Sequence, residues 1–318
     1  MRTPKPTGQQ MDLAELPQYW QVVAKLFGEI ERLPPLAGST TLSARAFDES
    51  QTAGQRTYMG VDRYLNVARD NHEALLALLE HHGATLWAPW SLLRPTFESA
   101  FYAAWMLDPT DGKERRSRGL RVEVRDALEQ RNHRRSFRDI PKVRDLIDAE
   151  ERRIDAGSMR TYKKEAAALG RSFDTIRQKV NVVEELPKLS FIRDQPTLAP
   201  FIVSCWRLLS GFEHGLGWAM LSGSDREVTA HIEGGAEMHL VISDESFVTA
   251  AKSTYFLLLT AGACARVCVA QPPKHGDPWR IRRSDATATG VRNELATGHT
   301  PLGDPSLLSA SLAGMTRP

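Results

Sequence analysis

Apolar residues recur at three- and four-residue intervals along most of the chain, the spacing of amphipathic helices rather than of strands. The first such pattern covers about 12–32, places Leu13, Leu16, Trp20, Val23 and Phe27 on one face, and stops before 34-PP-35, because a residue preceding proline is driven out of the helical region. Residues 36–55, rich in Gly, Ser, Thr and Ala, read as a long and weakly structured connection. Helices are then expected over about 56–82, stopped by Gly83, over about 86–107, and over the highly charged segment 113–138. The helix at 86–107 contains Pro89 and Pro95, so it either begins at Pro95 or is kinked there. Another covers about 142–169 with an interruption near Gly157, and shorter elements broken by Pro187 fill 171–195.

The segment 200-PFIVSCWRLLSGFEHGLGWAML-221 is the longest apolar stretch that carries polar residues at helical spacing. Val203, Arg207, Ser210, His214 and Trp218 share one stripe of it. Leu208, Phe212, Leu216 and Ala219 make the other faces apolar too, which predicts a helix buried nearly all round. Beyond it the period changes to two. Val228, Ala230 and Ile232 alternate, Gly234 and Gly235 mark a turn, and Met238, Leu240 and Ile242 alternate again, predicting a β-hairpin over about 226–244. A long helix over about 245–271, closed by 272-PP-273, and a short charged helix near 278–297 complete the pattern. The expected fold class is therefore mainly α, a multi-helix bundle with one β-hairpin insert. Residues 1–10 are expected to be disordered, 11–299 to form a single helical-bundle domain, and 300–318 to be a flexible tail.

Composition adds little to this picture. A chain of 318 residues is long enough to bury a substantial core. A formal charge of +2 is too small to imply nucleic acid or an anionic membrane by itself. Cys205, Cys264 and Cys268 all fall in apolar helical stretches; an odd, small set argues against a disulfide framework and for a reducing compartment. Cys264 and Cys268 are one helical turn apart and could ligate a metal, but the spacing reads first as two small core thiols. The basic N-terminus is followed by no apolar run, and 253-STYFLLLTAGACA-265, bounded by Lys252 and Arg266, is too short to span a bilayer. A cytoplasmic protein without a membrane segment is expected.

Several signatures of chemistry are missing: GxxxxGK[ST], GxSxG, HExxH, paired CxxC, and the Glu-x-x-His pairs of di-iron bundles. No metal or cofactor is thereby implied. What the sequence offers is polar residues on apolar helices. Arg207 and His214 lie seven residues apart with Ser210 between them, about two turns and roughly 10 Å along a helix axis. Arg94 and Glu98 lie one turn apart within 92-LLRPTFESAFYAAW-105. A Glu set among Phe97, Ala100, Phe101 and Trp105 needs a cation or several donors, and Arg94, Arg207 and His214 are the candidates if the two helices face each other. Such a cluster is either a buried ion-pair network that fixes helix docking, helped by Gly211 and Gly215 as small contact residues, or an active centre.

The segment from Arg207 to His214 resembles the R-x(4–6)-H motif of the HEPN superfamily of helical-bundle proteins. Many members are metal-independent RNA endonucleases of toxin–antitoxin and phage-defence systems, and they dimerise so that two motifs meet. The resemblance implies that His214 acts as general base on a ribose 2′-hydroxyl and that Arg207 holds the phosphate; the polar cluster read from the residues themselves adds Arg94, Glu98 and Ser210 as binding residues. RNA as partner and a homodimer follow from the same resemblance. The segments RPxxE at 94–98 and SxxxHG at 210–215 are also similar to parts of helical bacterial families without an assigned activity.

Two further features bear on function. Arg115, Arg116, Arg118, Arg121, Arg125, Arg131, Arg134, Arg135 and Arg138 stud one charged helix, mostly interleaved with acidic residues. Only 131-RNHRRSFR-138 lacks acidic neighbours in sequence, making it the expected phosphate contact if RNA binds. Trp87, Trp90, Trp105, Trp206 and Trp218 either line a small-molecule pocket or belong to the core. A non-catalytic interaction module and a small-molecule binder are therefore the alternatives to a ribonuclease.

Overall fold

The computed structural model describes residues 13–31, 43–195 and 197–270; the expectations for 1–10, 278–297 and 300–318 lie outside them. The architecture is mainly α with one two-stranded antiparallel hairpin among the described residues. A 3₁₀ turn, Leu13–Glu15, leads into α1 (Leu16–Glu31), whose Leu16, Trp20, Val23 and Phe27 are buried as the spacing predicts. Within the stretch expected to be a weakly structured connection, residues 43–55 depart from expectation. Ser43 caps a short helix, α2 (Ala44–Glu49), by accepting a hydrogen bond from the Ala46 amide at 3.1 Å. This helix exists for a tertiary reason: Asp48 on it is fully buried and pairs with a distant arginine.

Helix α3 (Gly54–His82) ends at Gly83, which takes a positive φ of 70°. Helix α4 (Ala88–Leu107) starts with Pro89 in its first turn and continues through Pro95, so it does not begin there. It is buried on nearly every side and packs against α3. The charged segment forms α5 (Gly112–Arg135), capped by Asp111. The next helix, predicted with a break near Gly157, is α6 (Pro141–Ile154), a π-helical turn at Asp155–Met159, and α7 (Arg160–Ala168). Short helices α8 (Phe173–Ile176), α9 (Val182–Glu185) and α10 (Ser190–Arg193) follow. A second, smaller apolar cluster of Leu120, Val124, Met159, Tyr162, Ala166, Leu169 and Ile176 sits beneath α5, α7 and α8.

Close approach of α3 and α5 depends on Gly119. A Cβ built there would fall 2.1 Å from Thr57 Oγ1 and 2.7 Å from Thr57 Cα, so a side chain forces backbone apart. Gly119→Ala is expected to destabilise the fold by about 1–3 kcal/mol, read as a lowered melting temperature in circular dichroism. An unchanged melt would mean that the two helices can separate at no cost.

The segment 200–221 is not one helix. Helix α11 (Leu198–Glu213) stops at His214, and α12 (Gly217–Ser222) is a separate short helix. Gly215 adopts a left-handed φ of 64°, its amide bonds the Phe212 carbonyl at 3.0 Å, and the Leu216 amide bonds the Gly211 carbonyl at 2.8 Å. These paired bonds form a Schellman motif, which closes a helix by satisfying its last carbonyls. Strands β1 (Ser224–Ile232) and β2 (Gly235–Ile242) then form the predicted hairpin around Gly234.

Helix α13 (Asp244–Ala270) completes the bundle and packs against α1, α4 and α11. Phe247, Val248, Ala251, Tyr255, Leu257 and Leu258 on it are fully buried. It is the one helix among the described residues long and apolar enough to cross a membrane, and more than half of its apolar window is buried against other helices. The helix spans its expected length and runs through Lys252, the charge that bounds the apolar run in the sequence. Lys252 is instead buried within the helix, with Nζ 3.3 Å from Glu15 and 4.8 Å from the Tyr19 ring centroid.

Candidate functional site

Helices α4 and α11 do face each other, and Arg94 is where they meet. Its guanidinium is almost completely buried, donates from Nη2 to Glu98 Oε1 at 2.5 Å, and lies 3.1 Å from Glu213 Oε2. The same group sits 5.0 Å from the Trp206 ring centroid, a cation–π arrangement that a planar guanidinium favours. Of the three cations considered for Glu98, the one on its own helix is its partner. Glu213, which the sequence reading passed over, supplies the link to α11. One signal was present: Glu213 is the single acidic residue in an otherwise apolar helix.

Arg207 and His214 are placed elsewhere. Both are exposed, as is Trp218, while Ser210 is half-buried. The stripe is polar because it looks outward, and the helix is not buried all round. Phe201, Ile202, Cys205, Leu209 and Phe212 form its inner face instead. Gly211 does serve close contact, though with α12 rather than with a distant helix: a Cβ on it would come within 2.4 Å of the Ala219 Cβ and 2.9 Å of the Trp218 indole. Gly215 has open space around it and serves the turn. The structure thus brings together Arg94, Glu98 and Glu213, and leaves Arg207, midway along α11, and His214, at its C-terminal cap, exposed.

Exposed apolar groups frame that end. Trp218 is 51% exposed, Leu216 43% and Trp87 39%. Trp87 contacts Phe212 edge-on at 5.5 Å, and Trp218 lies over Gly211, so both indoles flank the last turn of α11. Trp90 and Trp105 belong to the core instead. Trp90 is fully buried, stacked on Phe212 at 4.3 Å and edge-on to Phe247 at 5.0 Å. Trp105 is buried and donates its indole N–H to Glu185 at 3.0 Å. An open cleft of about 400 Å³ lies on the far side of α5, lined by Leu128, Arg131, Asp155, Met159, Lys163, Phe173 and Arg177, with no tryptophan.

The basic block 131–138 is corrected by its tertiary neighbours. Arg131 makes a bidentate pair with Asp155 at 2.9 and 3.1 Å, and Arg134 lies 3.5 Å from Glu150. Arg135 meets Glu151 at 2.6 Å and Arg138 meets Asp148 at 3.0 Å. Helix α6 and the π-helical turn supply these carboxylates, so the block is paired rather than open for phosphate. Elsewhere on α5, Arg118 donates to the Trp105 carbonyl at 2.7 Å, and Arg121 donates to the carbonyls of Gln178 and Lys179 at 2.8 and 2.9 Å.

Two buried polar centres were missed. Asp48, on α2, accepts from Arg115 Nε at 2.8 Å and from the Tyr58 hydroxyl at 3.0 Å. Arg115 also donates to the carbonyls of Pro109 and Thr110 at 2.9 and 2.8 Å. On α3, the fully buried His72 has its Nε2 2.8 Å from the Tyr255 hydroxyl and its ring 4.2 Å from that of Trp20. Burial pushes the His72 imidazole down to about 3 and raises the Tyr255 phenol. Both centres are sealed from solvent, which suits structure rather than turnover. The three thiols are free, and burial pushes Cys205 up to about 11 and raises Cys264 and Cys268 as well, which removes the thiolate that reactivity needs. Among the described residues no cluster of three potential metal ligands occurs.

Compared with known proteins, the chain matches no family model, no curated sequence and no solved structure.

Proposed function

We propose that the exposed end of α11 binds single-stranded RNA and cleaves it without a metal. The observation that carries this reading is that Arg207 and His214, about two turns apart, are both exposed, with the exposed indoles of Trp218 and Trp87 beside the last turn of α11. A guanidinium matches a phosphate, and indoles offer stacking platforms for unpaired bases. An imidazole near neutrality accepts a proton in the transition state. His214 takes the proton of the ribose 2′-hydroxyl, whose oxygen attacks the adjacent phosphorus. A 2′,3′-cyclic phosphate forms, the bond to the 5′ oxygen breaks, and that oxygen leaves as a hydroxyl with a proton returned from the imidazolium. Arg207 holds the phosphate and balances its charge. Cytoplasmic residence is part of the same proposal.

The test is incubation with a labelled single-stranded RNA in excess chelator, with products resolved by length and end group. Cleavage to cyclic phosphate ends is expected, lost by about 10²-fold or more in His214→Ala, while the melting temperature stays unchanged because the side chain is exposed. Intact RNA with the wild-type protein, or equal cleavage by the variant, removes the reading. The apolar rim of Trp87, Leu216 and Trp218 favours a second reading, a non-catalytic docking face for a protein partner, which predicts neither RNA binding nor cleavage.

A further inference from the structure

The hairpin leaves the helical body with both of its faces in solvent. Val228 is 49% exposed, Ile232 54%, Met238 42% and Val241 47%, whereas only Ser224 and Ile242, at its base, are buried. A lone two-stranded ribbon is marginal in water, and its two outer edges differ. β1 is interrupted by a bulge between Val228 and Ala230 and carries Asp225, Arg226 and Glu227 in succession; bulges and charges are the usual protections of an open edge. β2, Gly235-Ala-Glu-Met-His-Leu-Val-Ile242, has neither bulge, proline nor lysine.

We propose that β2 pairs antiparallel with β2 of a second copy of this chain about a two-fold axis at Met238, giving a continuous four-stranded sheet. In a turn such as Ile232–Gly235 the first carbonyl accepts from the fourth amide. Gly235 therefore points its amide toward β1, and alternation turns the amides of Ala236, Met238 and Leu240 outward, where a further strand would bond them. The sequence of β2 is self-complementary in that register. Met238 faces Met238 of the second copy, Ala236 faces Leu240, and an apolar row results on one side of the sheet. On the other side Glu237 falls opposite His239, twice by symmetry, so that each carboxylate accepts from an imidazole N–H. With the axis moved one residue, to His239, both pairs are lost and Glu237 faces Val241.

This pairing is tested by reciprocal charge variants in sedimentation equilibrium. The wild-type chain is expected to dimerise. Glu237→Lys sets a lysine against His239 at two places, and His239→Glu sets a glutamate against Glu237 at two places, so each variant alone is expected to dimerise about ten-fold or more weakly. In an equimolar mixture the introduced lysine of one copy falls opposite the introduced glutamate of the other, and the native pair of His239 with Glu237 survives at the second place. The mixture is therefore expected to recover dimerisation. Far-UV circular dichroism verifies that both variants keep the helical fold. A wild-type monomer at all concentrations, variants that dimerise as tightly as wild type, or a mixture that stays monomeric would each overturn the proposal. None of these outcomes depends on whether RNA is cleaved.

Discussion

Acidification from pH 7 to pH 4.5 is expected to cost this fold roughly 2–3 kcal/mol through a single side chain, His72. Its imidazole is fully buried against Tyr255 and Trp20 and is pushed down to about 3 by desolvation from an ordinary 6.5. Between those two values the unfolded chain binds a proton that the folded one refuses. Stability therefore rises with pH across that window, is fully present above 6.5, and is lost as pH falls toward 3, at most about 1.4 kcal/mol per unit. Urea unfolding followed by tryptophan fluorescence at the two pH values measures the loss. In His72→Phe the site no longer titrates, so the gap between the two pH values should shrink by about 2–3 kcal/mol. An equal gap in wild type and variant would show that the acid response arises elsewhere.

Asp48→Ala is expected to be still more damaging, by about 3–5 kcal/mol, because it leaves a guanidinium buried without its counter-charge. Arg115 would retain only the carbonyls of Pro109 and Thr110, while Tyr58 would lose its acceptor. Arg115→Ala should cost less, because Arg116 stays 3.8 Å from the Asp48 carboxylate. The pair Asp48→Met with Arg115→Met removes both charges and should recover much of the loss, since an apolar replacement of a buried ion pair is often near neutral. Guanidinium unfolding of the single and double variants reads this out. Additive losses would mean that the two groups stabilise the fold independently.

How much of this was legible beforehand follows from range. Helical periodicity gave the boundaries of α1, α3, α5 and the break near Gly157, because those depend on neighbours a few residues away. The hairpin was legible for the same reason, from Gly234 and the alternation around it. The helix α2 was not, since its reason for forming is an arginine 67 residues later in the chain. His72 was passed over because a polar residue among Ala68, Leu75 and Leu76 has no visible partner until Tyr255 arrives 183 residues further on. The split of 200–221 had a local signal in Gly215, overlooked because the apolar pattern runs through it. The polar stripe faces solvent because Phe201, Ile202, Cys205, Leu209 and Phe212 give α11 one continuous apolar side to bury.

The Schellman turn sets a geometry for the surface as a whole. Only one short helix lies between His214 and the root of the ribbon at Ser224. In ribbons joined antiparallel about Met238, Ile242 at the root of one falls opposite Gly234 at the tip of the other, so the two helical bodies stand at opposite ends of the shared sheet. Each ribbon root would then have the turn of the other copy beside it, and the two His214 imidazoles would be held apart by the length of the sheet.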